Sequence, residues 1–447
     1  MKRRRGYRRF GLLGYPLGHS ISPFIHESIM EIVGIPGEYK LYPLAADALP
    51  EHVPTLLADL DGFNCTIPHK VTIKPYLEAL APCASLYGAV NTVYQCVGYN
   101  TDGVGFTSCQ VPLKGRRVCV LGAGGVSRVL ATEAVQAGAK EVLIAARSPE
   151  KGQQLVLELK ERGVQNISVL DFADGLAQFD VCLNGTPVGM WPGVRELPFG
   201  GQIKAREAVF DTIYNPTATR FVLQARTRGL WAKGGLQMLF EQALAAQKIW
   251  NPEVDFRPFA REFEELKGLL AREVLQRSPI KVVLTGFMGS GKSTVGLALA
   301  KALSLPFLDL DEAIVRAVGK SVPEIFAAGG EGAFRTIEQQ IFCAELQNPE
   351  PMVLATGGGT LVQEGIDDVL RQSKTLVIYL DLPLEVALER VRGDENRPML
   401  QGDPAQIKAL YQARRPRYER TADLTIQAEG ELAKIVETIL VAFEWKG

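Results

Sequence analysis

The feature that most restricts the fold of this chain is the stretch GFMGSGKS, from Gly286 to Ser293. It matches the pattern G-x-x-x-x-G-K-S/T in full, and it stands between an apolar run, VVLT, and a helix-forming run, STVGLALAKAL. A strand, a glycine-rich loop and a helix in this order bind phosphate, because the backbone N–H groups turn inward around it. The stretch therefore predicts an α/β domain that binds ATP on a parallel sheet.

Within this loop, the charge of Lys292 is expected on the β- and γ-phosphates, and Ser293 is expected to hold Mg²⁺. The other loop residues expected to contact ATP are Gly289, Ser290, Gly291 and Thr294. The alternative is a glycine-rich turn that binds nothing, and the flanking strand and helix argue against it.

A second glycine-rich signal, VLGAGGVSRVL, gives Gly122-x-Gly124-x-x-Ser127. It begins after a short apolar run and leads into a helical stretch, as a dinucleotide-binding fold requires. Serine replaces the third glycine of this fingerprint, but serine is small, so close packing of the helix on the strand is still expected. An acid about 20 residues further on would indicate NAD. The next strand instead offers Arg147 and Lys151, which favours NADP; the alternative is that Arg147 points to solvent.

Strand-like and helical runs alternate along the 447 residues, a length that predicts about two to four domains of the α/β class. The predicted units are a substrate and catalytic domain over 7–113 that is completed by helices within 237–270, a Rossmann-like dinucleotide domain over 114–236, a linker over 271–279 and a P-loop domain over 280–447. The linker is placed at QRSPIK, because its proline breaks the preceding helix.

Composition narrows the class of protein. A formal net charge of -1 argues against binding to nucleic acid or to an anionic membrane, and no apolar run is long enough to span a bilayer. The 7 cysteines contain no C-x-x-C pair, which predicts a reducing compartment, and no apolar signal core follows the basic start MKRRRGYRRF. We therefore expect a cytoplasmic protein with small-molecule substrates, whose basic start is a solvated terminus rather than a contact to RNA or to an acidic partner. Oligomeric state is not indicated.

Reductive chemistry is expected in the first domain, because a dinucleotide fold supplies only the cofactor. Lys70 ends GFNCTIPHK, and Asp102 lies in YNTDGVGF; a lysine and an aspartate can relay a proton beside a carbonyl that accepts hydride. Asn91 and the hydroxyls of Ser20 and Ser22 are further candidates. From residue chemistry alone, a surface lysine, a helix-capping aspartate and two turn serines remain an equal alternative.

The segments GYPLGHSISP, GFNCTIPHK, GAVNTV, NTDGVGF, GAGGVSR, NGTPVGM, DTIYNPTATRF and GGLQMLFEQA resemble the shikimate dehydrogenase family over about residues 10–270. The resemblance implies that Lys70 and Asp102 are the catalytic pair. It further implies that the substrate contacts are Ser20, Ser22, Thr66, Lys70, Asn91, Asp102, Tyr214 and Gln242. The implied NADP contacts are Gly122, Ala123, Gly124, Gly125, Arg147, Lys151 and Gly235.

One position departs from the pattern of that family. The family commonly has N-R-T on the second strand of the dinucleotide domain, whereas this chain has Ala146, Arg147 and Ser148. The arginine and a hydroxyl are kept, but the asparagine amide is lost. The resemblance therefore leaves open whether the dehydrogenase uses only NADP or also accepts NAD.

The last domain carries further charged and glycine-rich segments. PFLDLD, GEGAFRTIE, LATGGGTL, DENRPML and YQARRPRY place carboxylates, arginines and a glycine triplet at strand ends and on helices, where they suit an anionic acceptor and a phosphoryl group in transfer. Taken singly, each charge is more often a solvated ion pair, and the glycines an ordinary turn.

In their order along the chain, GFMGSGKST, FLDLDEAI, GKSVPEIFAAGGEGAFRTIE, ATGGGTLV, NRPML and ARRPRYERTADLTI resemble the shikimate kinase family over about residues 280–442. The resemblance implies that Asp309 helps to hold the metal. The implied shikimate contacts are Asp311, Arg335, Gly357, Gly358, Gly359 and Arg414. Arg390 is expected beside adenine, and Arg397 is expected to reach the phosphates from a mobile lid, as a catalytic group with Lys292.

The two resemblances together imply a bifunctional enzyme of the shikimate pathway, which leads to chorismate and the aromatic amino acids. Its first half reduces 3-dehydroshikimate with NADPH, and its second half phosphorylates the shikimate with ATP and Mg²⁺. Two alternatives stay open: one half is an inactive nucleotide-sensing or scaffold module, or the dehydrogenase also accepts quinate or NAD. The presence of every central charged residue favours two active halves.

Overall fold

The computed structural model describes residues 6–18, 20–170, 178–391 and 404–445. The strands in these residues form three sheets, each built from one continuous portion of the chain. Helices connect the strands of each sheet, as the alternating pattern predicts. Among the described helices, none is both long enough and apolar enough to cross a membrane.

The first sheet is mixed, and its strands lie in the order β2-β1-β3-β5-β6-β4. Its strands are β1 (Arg8–Gly14), β2 (Gly37–Pro43), β3 (Gly62–Cys65), β4 (Ala79–Leu80), β5 (Thr92–Tyr94) and β6 (Val97–Tyr99). Its helices are α1 (Ser22–Ile32), α2 (Leu49–Asp59), α3 (His69–Thr72), α4 (Pro82–Tyr87) and α5 (Asp102–Ser108). Strand β1 pairs in parallel with β2 and β3, while β5 is antiparallel to β3. Helices α3 and α5 therefore start beyond strands of one sheet, which brings their first turns to the same cleft.

The second sheet is entirely parallel, and its strands lie in the order β12-β11-β10-β7-β8-β9. Its strands are β7 (Arg117–Leu121), β8 (Glu141–Ala145), β9 (Ile167–Val169), β10 (Gln178–Asn184), β11 (Lys204–Asp211) and β12 (Trp231–Lys233). Its helices are α6 (Gly125–Gln136), α7 (Pro149–Glu161) and α8 (Arg220–Thr227). The strand order reverses between β7 and β10, and the carboxyl ends at such a switch point are where doubly wound sheets bind ligands.

Two helices follow the second sheet and return to the first. They are α9 (Leu236–Trp250) and α10 (Ala260–Arg277). Trp250 stacks on Phe10 with ring centroids 4.6 Å apart, and its Nε1 donates a 3.0 Å hydrogen bond to the carbonyl of Val93. These contacts fix the end of α9 against the first sheet, where the sequence pattern places it.

Helix α10 occupies most of the predicted linker 271–279, because it ends only at Arg277. Val274 and Leu275 are 3% and 6% exposed, so the apolar face of the helix continues past residue 270. The connection to the next sheet is therefore short and runs through Pro279, where the helix has ended.

The third sheet is also parallel, with strand order β14-β15-β13-β16-β17. Its strands are β13 (Lys281–Thr285), β14 (Phe307–Asp309), β15 (Met352–Ala355), β16 (Thr375–Asp381) and β17 (Leu424–Gln427). Its helices are α11 (Lys292–Leu303), α12 (Leu310–Val318), α13 (Val322–Gln347), α14 (Ile366–Gln372), α15 (Leu384–Arg390), α16 (Pro404–Thr421) and α17 (Leu432–Ala442). The stretch GFMGSGKS follows the central strand β13 and leads into α11, in the context that the motif requires.

A buried cluster of charges joins the second sheet to the third. The side chain of Asp423, which immediately precedes β17, is fully buried and pairs with Arg195 at 2.8 Å and with Arg220 at 2.7 Å. Arg195 also donates a 3.2 Å hydrogen bond to the carbonyl of Thr375, the first residue of β16. Both contacts lie at the amino ends of strands in the third sheet. The second sheet therefore docks at the end of the third sheet that is opposite the phosphate loop.

Candidate active sites

Lys70 and Asp102 meet in the cleft between the first and second sheets. Lys70 Nζ donates a 2.5 Å hydrogen bond to Asp102 Oδ2, and the two side chains are only 15% and 7% exposed. Asn91 Nδ2 donates to the other carboxylate oxygen at 2.8 Å. The carboxylate is thus held on both sides and orients the lysine ammonium, an arrangement suited to delivering a proton.

The predicted substrate residues Asn91 and Gln242 adjoin this pair. Gln242 lies on α9, and its Oε1 is 3.4 Å from Asn91 Nδ2, while Asn91 Oδ1 accepts a 2.8 Å hydrogen bond from the backbone N–H of Thr101. Ser20 and Ser22 are hydrogen-bonded to each other at 3.1 Å at the start of α1, and the methyl group of Thr66 packs against Gly14. The substrate contacts of these side chains stay predictions.

The loop of the predicted dinucleotide site lies directly beside Lys70 and Asp102. Gly122, Ala123, Gly124 and Gly125 connect β7 to α6, at the switch point of the second sheet. The Cδ of Lys70 is only 3.3 Å from the place that a Cβ on Gly125 would occupy. Lys70 therefore packs on the glycine loop, which in this type of fold approaches the pyrophosphate of a dinucleotide.

Ser127 fills the position of the third glycine in this fingerprint. Its side chain is fully buried, and a Cβ on Gly185 would lie 2.5 Å from its Oγ. Among the residues described, Ser127 Oγ has no hydrogen-bond partner. Helix α6 therefore approaches the end of β10 closely enough that serine fits and a longer side chain would not.

The second strand of this domain ends in the segment that departs from the family pattern. Ala146 is buried, and its Cβ is 3.3 Å from the place of a Cβ on Gly152. Ser148 caps α7 by accepting a 3.3 Å hydrogen bond from the N–H of Lys151. Arg147, just before this capping residue, and Lys151, in the first turn of α7, are both exposed, so two cations lie near the start of the helix. Such a position suits a phosphate, and the residues present fit the 2′-phosphate of NADP.

Tyr214 and Gly235 lie on neighbouring loops that follow β11 and β12. Gly235 N donates a 2.9 Å hydrogen bond to the carbonyl of Ile213, which ties the two loops together. Tyr214 packs against the apolar core, and burial raises the pKa of its hydroxyl to about 12. The predicted contact of Gly235 with NADP and that of Tyr214 with substrate thus concern one corner of the cleft.

Sequence reasoning missed a buried pair behind Asp102. Tyr87 Oη donates a 2.5 Å hydrogen bond to Glu133 Oε1 and lies against Gly103, the residue next to Asp102. Burial raises the pKa of Glu133. The pair links α4 of the first domain to α6 of the second, close to the carboxylate of Asp102. The glycine that follows the aspartate in NTDGVGF was the available signal, because a side chain there would collide with Tyr87.

Asp211, at the end of β11, was also given no role. It is fully buried, and its oxygens accept hydrogen bonds from Thr219 Oγ1 at 2.6 Å, from Asn184 Nδ2 at 3.0 Å and from the N–H of Ile213 at 3.0 Å. Burial raises the pKa of Asp211 to about 7, although these hydrogen bonds lower it. The carboxyl group organises the loop that carries Tyr214.

The phosphate loop of the third sheet has the shape that its sequence predicts. Gly291 adopts a left-handed backbone conformation, with φ of 88°, just before α11 begins. Lys292 Nζ lies over the loop and donates 3.0 Å hydrogen bonds to the carbonyls of Gly286 and Phe287. Ser293 Oγ donates a 2.6 Å hydrogen bond to Asp309 Oδ2. The hydroxyl and the carboxylate predicted to hold Mg²⁺ are therefore together, and they fit a hard cation that also binds phosphate oxygens.

The remaining loop residues predicted to bind ATP surround this lysine. Thr294 is exposed on the first turn of α11, and Gly289 packs against the carbonyl of Ala387. Ser290 Oγ is buried without a hydrogen-bond partner in the described part of the chain. Arg390 ends α15, and its Nη1 is 3.8 Å from the place of a Cβ on Gly291. Arg397 lies outside the described residues.

The predicted shikimate residues of the third domain converge beside β15. A Cβ on Gly359 would collide with the guanidinium of Arg335, and Arg414 Nη1 donates a 3.3 Å hydrogen bond to the carbonyl of Gly358. Asp311 Oδ1 is 3.4 Å from the place of a Cβ on Gly357. Two guanidinium groups and a carboxylate thus surround the glycine triplet, which suits an acceptor that carries a carboxylate and hydroxyls.

Glu338 orients the guanidinium group of Arg335. It is fully buried and accepts 2.7 Å hydrogen bonds from Arg335 Nη1, from Thr360 Oγ1 and from Gln363 Nε2. The sequence placed Glu338 on the same helix as Arg335 without giving it this role. Their spacing of three residues is the local signal, because side chains three apart share a helix face.

The two sites define a dinucleotide-dependent oxidoreductase joined to a P-loop kinase. Comparison with known families identifies both parts. Residues 12–93 match the shikimate dehydrogenase substrate binding domain, and residues 107–188 match shikimate / quinate 5-dehydrogenase. Residues 288–444 match shikimate kinase. The chain belongs to the shikimate dehydrogenase family, and a shikimate kinase domain follows in the same chain.

Curated relatives cover the dehydrogenase part. The chain is 38% identical over 254 residues to shikimate dehydrogenase (NADP(+)) of Bacillus cytotoxicus, an alignment that spans 54% of this chain and 92% of the relative. It is 35% identical over 271 residues to the protein of the same name from Caldanaerobacter subterraneus, which spans 58% of this chain and 96% of the relative.

Solved structures give the same result. A chorismate mutase/shikimate 5-dehydrogenase fusion protein from Clostridium acetobutylicum matches with a TM-score of 0.52 and 32% identity, covering 60% of this chain and 99% of that chain. Shikimate 5-dehydrogenase from Thermus thermophilus, in complex with NADP(H) and shikimate, matches with a TM-score of 0.51 and 29% identity, covering 58% of this chain and 99% of that chain. The predictions of an α/β fold and of a bifunctional shikimate-pathway enzyme are confirmed.

Proposed function

We propose that Lys70 and Asp102 carry out the reduction of 3-dehydroshikimate to shikimate, and that the P-loop domain then phosphorylates the 3-hydroxyl of that shikimate. The observation that supports this assignment most directly is the packing of Lys70 on Gly125, with 3.3 Å between its Cδ and the place of a Cβ there. A carbonyl reduction needs a proton donor close to the bound dinucleotide, and this contact supports Lys70 in that role.

In the reduction, bound NADPH supplies a hydride to the carbonyl carbon. The carbonyl oxygen gains negative charge as this happens and requires a proton. Lys70 delivers that proton, and Asp102 holds the ammonium in place through the 2.5 Å hydrogen bond. Proton delivery by a positioned side chain typically contributes about 10²- to 10⁴-fold to a rate.

In the phosphorylation, bound ATP and Mg²⁺ supply the γ-phosphoryl group. Lys292 places a positive charge on the loop that cradles the phosphates, and Ser293 with Asp309 holds the metal. Arg335 and Arg414 bind the carboxylate of the acceptor, while Asp311 orients the hydroxyl that attacks. Most of this catalysis is positioning and charge neutralisation, because phosphoryl transfer through a loose transition state asks little of a base.

NADP is the proposed cofactor of the first reaction. Arg147 and Lys151 support it, because both are exposed cations near the start of α7. A second candidate is a dehydrogenase that also accepts NAD or quinate. Ala146 favours this candidate, since alanine offers no amide to the 2′-phosphate. The ratio of kcat/KM for NADPH and NADH, and for shikimate and quinate in the reverse direction, decides between them.

A reducing compartment, the cytoplasm, is the proposed place of action. All 7 cysteines are free thiols, which supports the proposal because such thiols persist where disulfides are reduced. Fractionation of cells that produce the native protein tests it, and recovery of the protein in an oxidising compartment would contradict it.

A coupled assay tests the function as a whole. Purified full-length protein is given 3-dehydroshikimate, NADPH, ATP and Mg²⁺, and the products are separated. Shikimate 3-phosphate is the expected product. Accumulation of shikimate alone would show that the kinase half is inactive. Phosphorylation of added shikimate without oxidation of NADPH would show that the dehydrogenase half is inactive.

A further inference from the structure

A short segment of the kinase domain lies on the dehydrogenase. Residues Phe443, Glu444 and Trp445 follow helix α17, and we refer to them as the docking segment. Glu444 Oε1 accepts a 2.8 Å hydrogen bond from the backbone N–H of Gly234 and pairs with Arg226 Nη2 at 2.5 Å. The docking segment therefore binds the backbone of the connection between β12 and α9, in addition to a charged side chain.

Further contacts hold the docking segment in place. Thr217 Oγ1 donates a 2.6 Å hydrogen bond to the carbonyl of Phe443, and Arg226 also donates to the carbonyl of Ala442. The rings of Phe443 and Trp445 are stacked with centroids 4.2 Å apart and are 0% and 7% exposed. The docking segment is thus anchored by hydrogen bonds just before Glu444, and both of its aromatic rings are buried.

The backbone of Glu444 is unusual. Its φ is 57°, in the left-handed region, directly after a helix, where glycine is the preferred residue. A residue with a side chain adopts this conformation at a cost, so its presence calls for a compensating contact. Here the turn directs the carboxylate back to Gly234 and Arg226.

Gly234 directly precedes Gly235, the residue predicted to contact NADP in the dehydrogenase. The next residue, Gly235, donates its N–H to the carbonyl of Ile213 at 2.9 Å and accepts the N–H of Leu239 in the first turn of α9. A Cβ on either glycine would collide with the backbone of the facing loop, so the two glycines are tightly packed. A shift of Gly234 would therefore displace Gly235 as well.

We propose that Glu444, a residue of the kinase domain, is a positioning residue for the NADP site of the dehydrogenase. By fixing the N–H of Gly234, it holds the turn that presents Gly235 to the cofactor. This inference rests on the proposed function, because the contact of Gly235 with NADP is itself part of that proposal. It makes the fused kinase a structural component of the dehydrogenase site.

The experiment compares full-length Glu444→Ala, Glu444→Gln and wild-type protein. Glu444→Ala is expected to raise both the KM for NADPH and the Kd for NADP⁺, read by fluorescence titration, about three- to tenfold, the range of one net hydrogen bond. The KM for 3-dehydroshikimate, the kcat of reduction and the kinase kcat/KM stay at wild-type values. Glu444→Gln keeps an oxygen for Gly234 and loses the charge facing Arg226, so its values fall between the two.

Asp368→Ala is the matched control. Asp368 is also an acid of the kinase domain, paired with Arg371 at 3.1 Å, but both side chains are more than two-thirds exposed. It is expected to behave as wild type in every measurement. An unchanged Kd for NADP⁺ in folded Glu444→Ala protein overturns the proposal, as does a fall in kcat with no change in the KM for NADPH.

The titration with NADP⁺ distinguishes a failure of this proposal from a failure of the proposed function. A wild-type protein that binds NADP⁺ but does not reduce 3-dehydroshikimate would contradict the function, while the Kd values would still decide the role of Glu444. A wild-type protein that binds no NADP⁺ would overturn both.

Discussion

Lys70 and Asp102, 32 positions apart in the chain, are joined by a 2.5 Å hydrogen bond at the wall of the dinucleotide loop. One side of the lysine therefore faces a carboxylate that orients it, and the other packs on Gly125. One compact cluster contains the ammonium of Lys70, the loop predicted to bind the dinucleotide, and the side-chain amides of Asn91 and Gln242. We expect the chemistry of the dehydrogenase half to depend on this cluster, and the chemistry of the kinase half to depend on a separate cluster around Lys292.

Lys70→Met tests this separation. Methionine keeps the aliphatic packing on Gly125 but removes the proton donor, so we expect the kcat of reduction to fall about 10²- to 10⁴-fold. The phosphorylation of added shikimate should be unchanged in the same protein. Lys292→Met is the reciprocal control, and it should remove phosphorylation while NADPH oxidation continues. Loss of both activities in either folded variant would contradict independent sites.

Arg147→Ala tests the cofactor preference. The exposed guanidinium is the first cation after β8, and a hydrogen bond between charged groups contributes about 1.5–3 kcal/mol. We therefore expect the KM for NADPH to rise about 10- to 100-fold, with little change in the KM for NADH. Initial rates at varied cofactor concentration measure both. Equal changes for the two cofactors would show that Arg147 does not recognise the 2′-phosphate.

Asp211→Asn tests the buried carboxyl group. The pKa of Asp211 is raised to about 7 in the folded protein, so between its unfolded value and pH 7 the folded state binds more protons. The contribution of Asp211 to the free energy of unfolding is therefore complete below the pKa of this group in the unfolded chain, and it is lost as the pH rises toward 7. Between pH 5 and pH 7 the loss amounts to about 2 kcal/mol.

Asparagine does not titrate, and it can still accept the hydrogen bonds from Asn184 and from the N–H of Ile213. The Tm of the variant relative to wild type should therefore increase as the pH is raised from 5 to 7.5. Comparing the two proteins at each pH cancels other groups, including buried His26, whose pKa burial lowers to about 3. A Tm difference that does not vary with pH would rule out a raised pKa for Asp211.

Asp423→Ala tests the charge cluster between the two enzymes. Removing the carboxylate leaves Arg195 and Arg220 without their buried partner, and breaking such a cluster costs about 3–5 kcal/mol. We expect a lower urea midpoint and faster proteolysis near Pro279. Asp368→Ala again serves as control, since its exposed ion pair contributes about 0–1 kcal/mol. Equal midpoints for the two variants would mean that the cluster does not hold the domains together.

Local patterns made much of the fold and of both sites predictable. The residues of GFMGSGKS and of the loop from Gly122 to Gly125 are neighbours in sequence, and their loops lie where strand–loop–helix signals predict them. Ser293 and Asp309 could be placed together because parallel strands end at one edge of a sheet. Their functional roles rest on resemblance and stay predictions.

Contacts that depend on docking between domains were not predictable. Arg195 and Asp423 are 228 positions apart, and nothing around either residue indicates its partner. The same holds for Glu444 with Gly234. The apolar stripe of α10 is visible in the sequence and continues to Leu275, which explains why the helix extends through most of the predicted linker. Pro279 marks only the point beyond which the helix cannot continue.

The dehydrogenase docks at the amino ends of the kinase strands, and this bears on how shikimate reaches the kinase half. Synthesis as one chain fixes the amounts of the two enzymes at one to one. Asp423 and Thr375 lie at the far end of the sheet from Lys292, so these contacts of the dehydrogenase are made away from the phosphate loop. We therefore expect the kinase half to accept shikimate from the surrounding solution as well as shikimate made by the dehydrogenase half of the same chain.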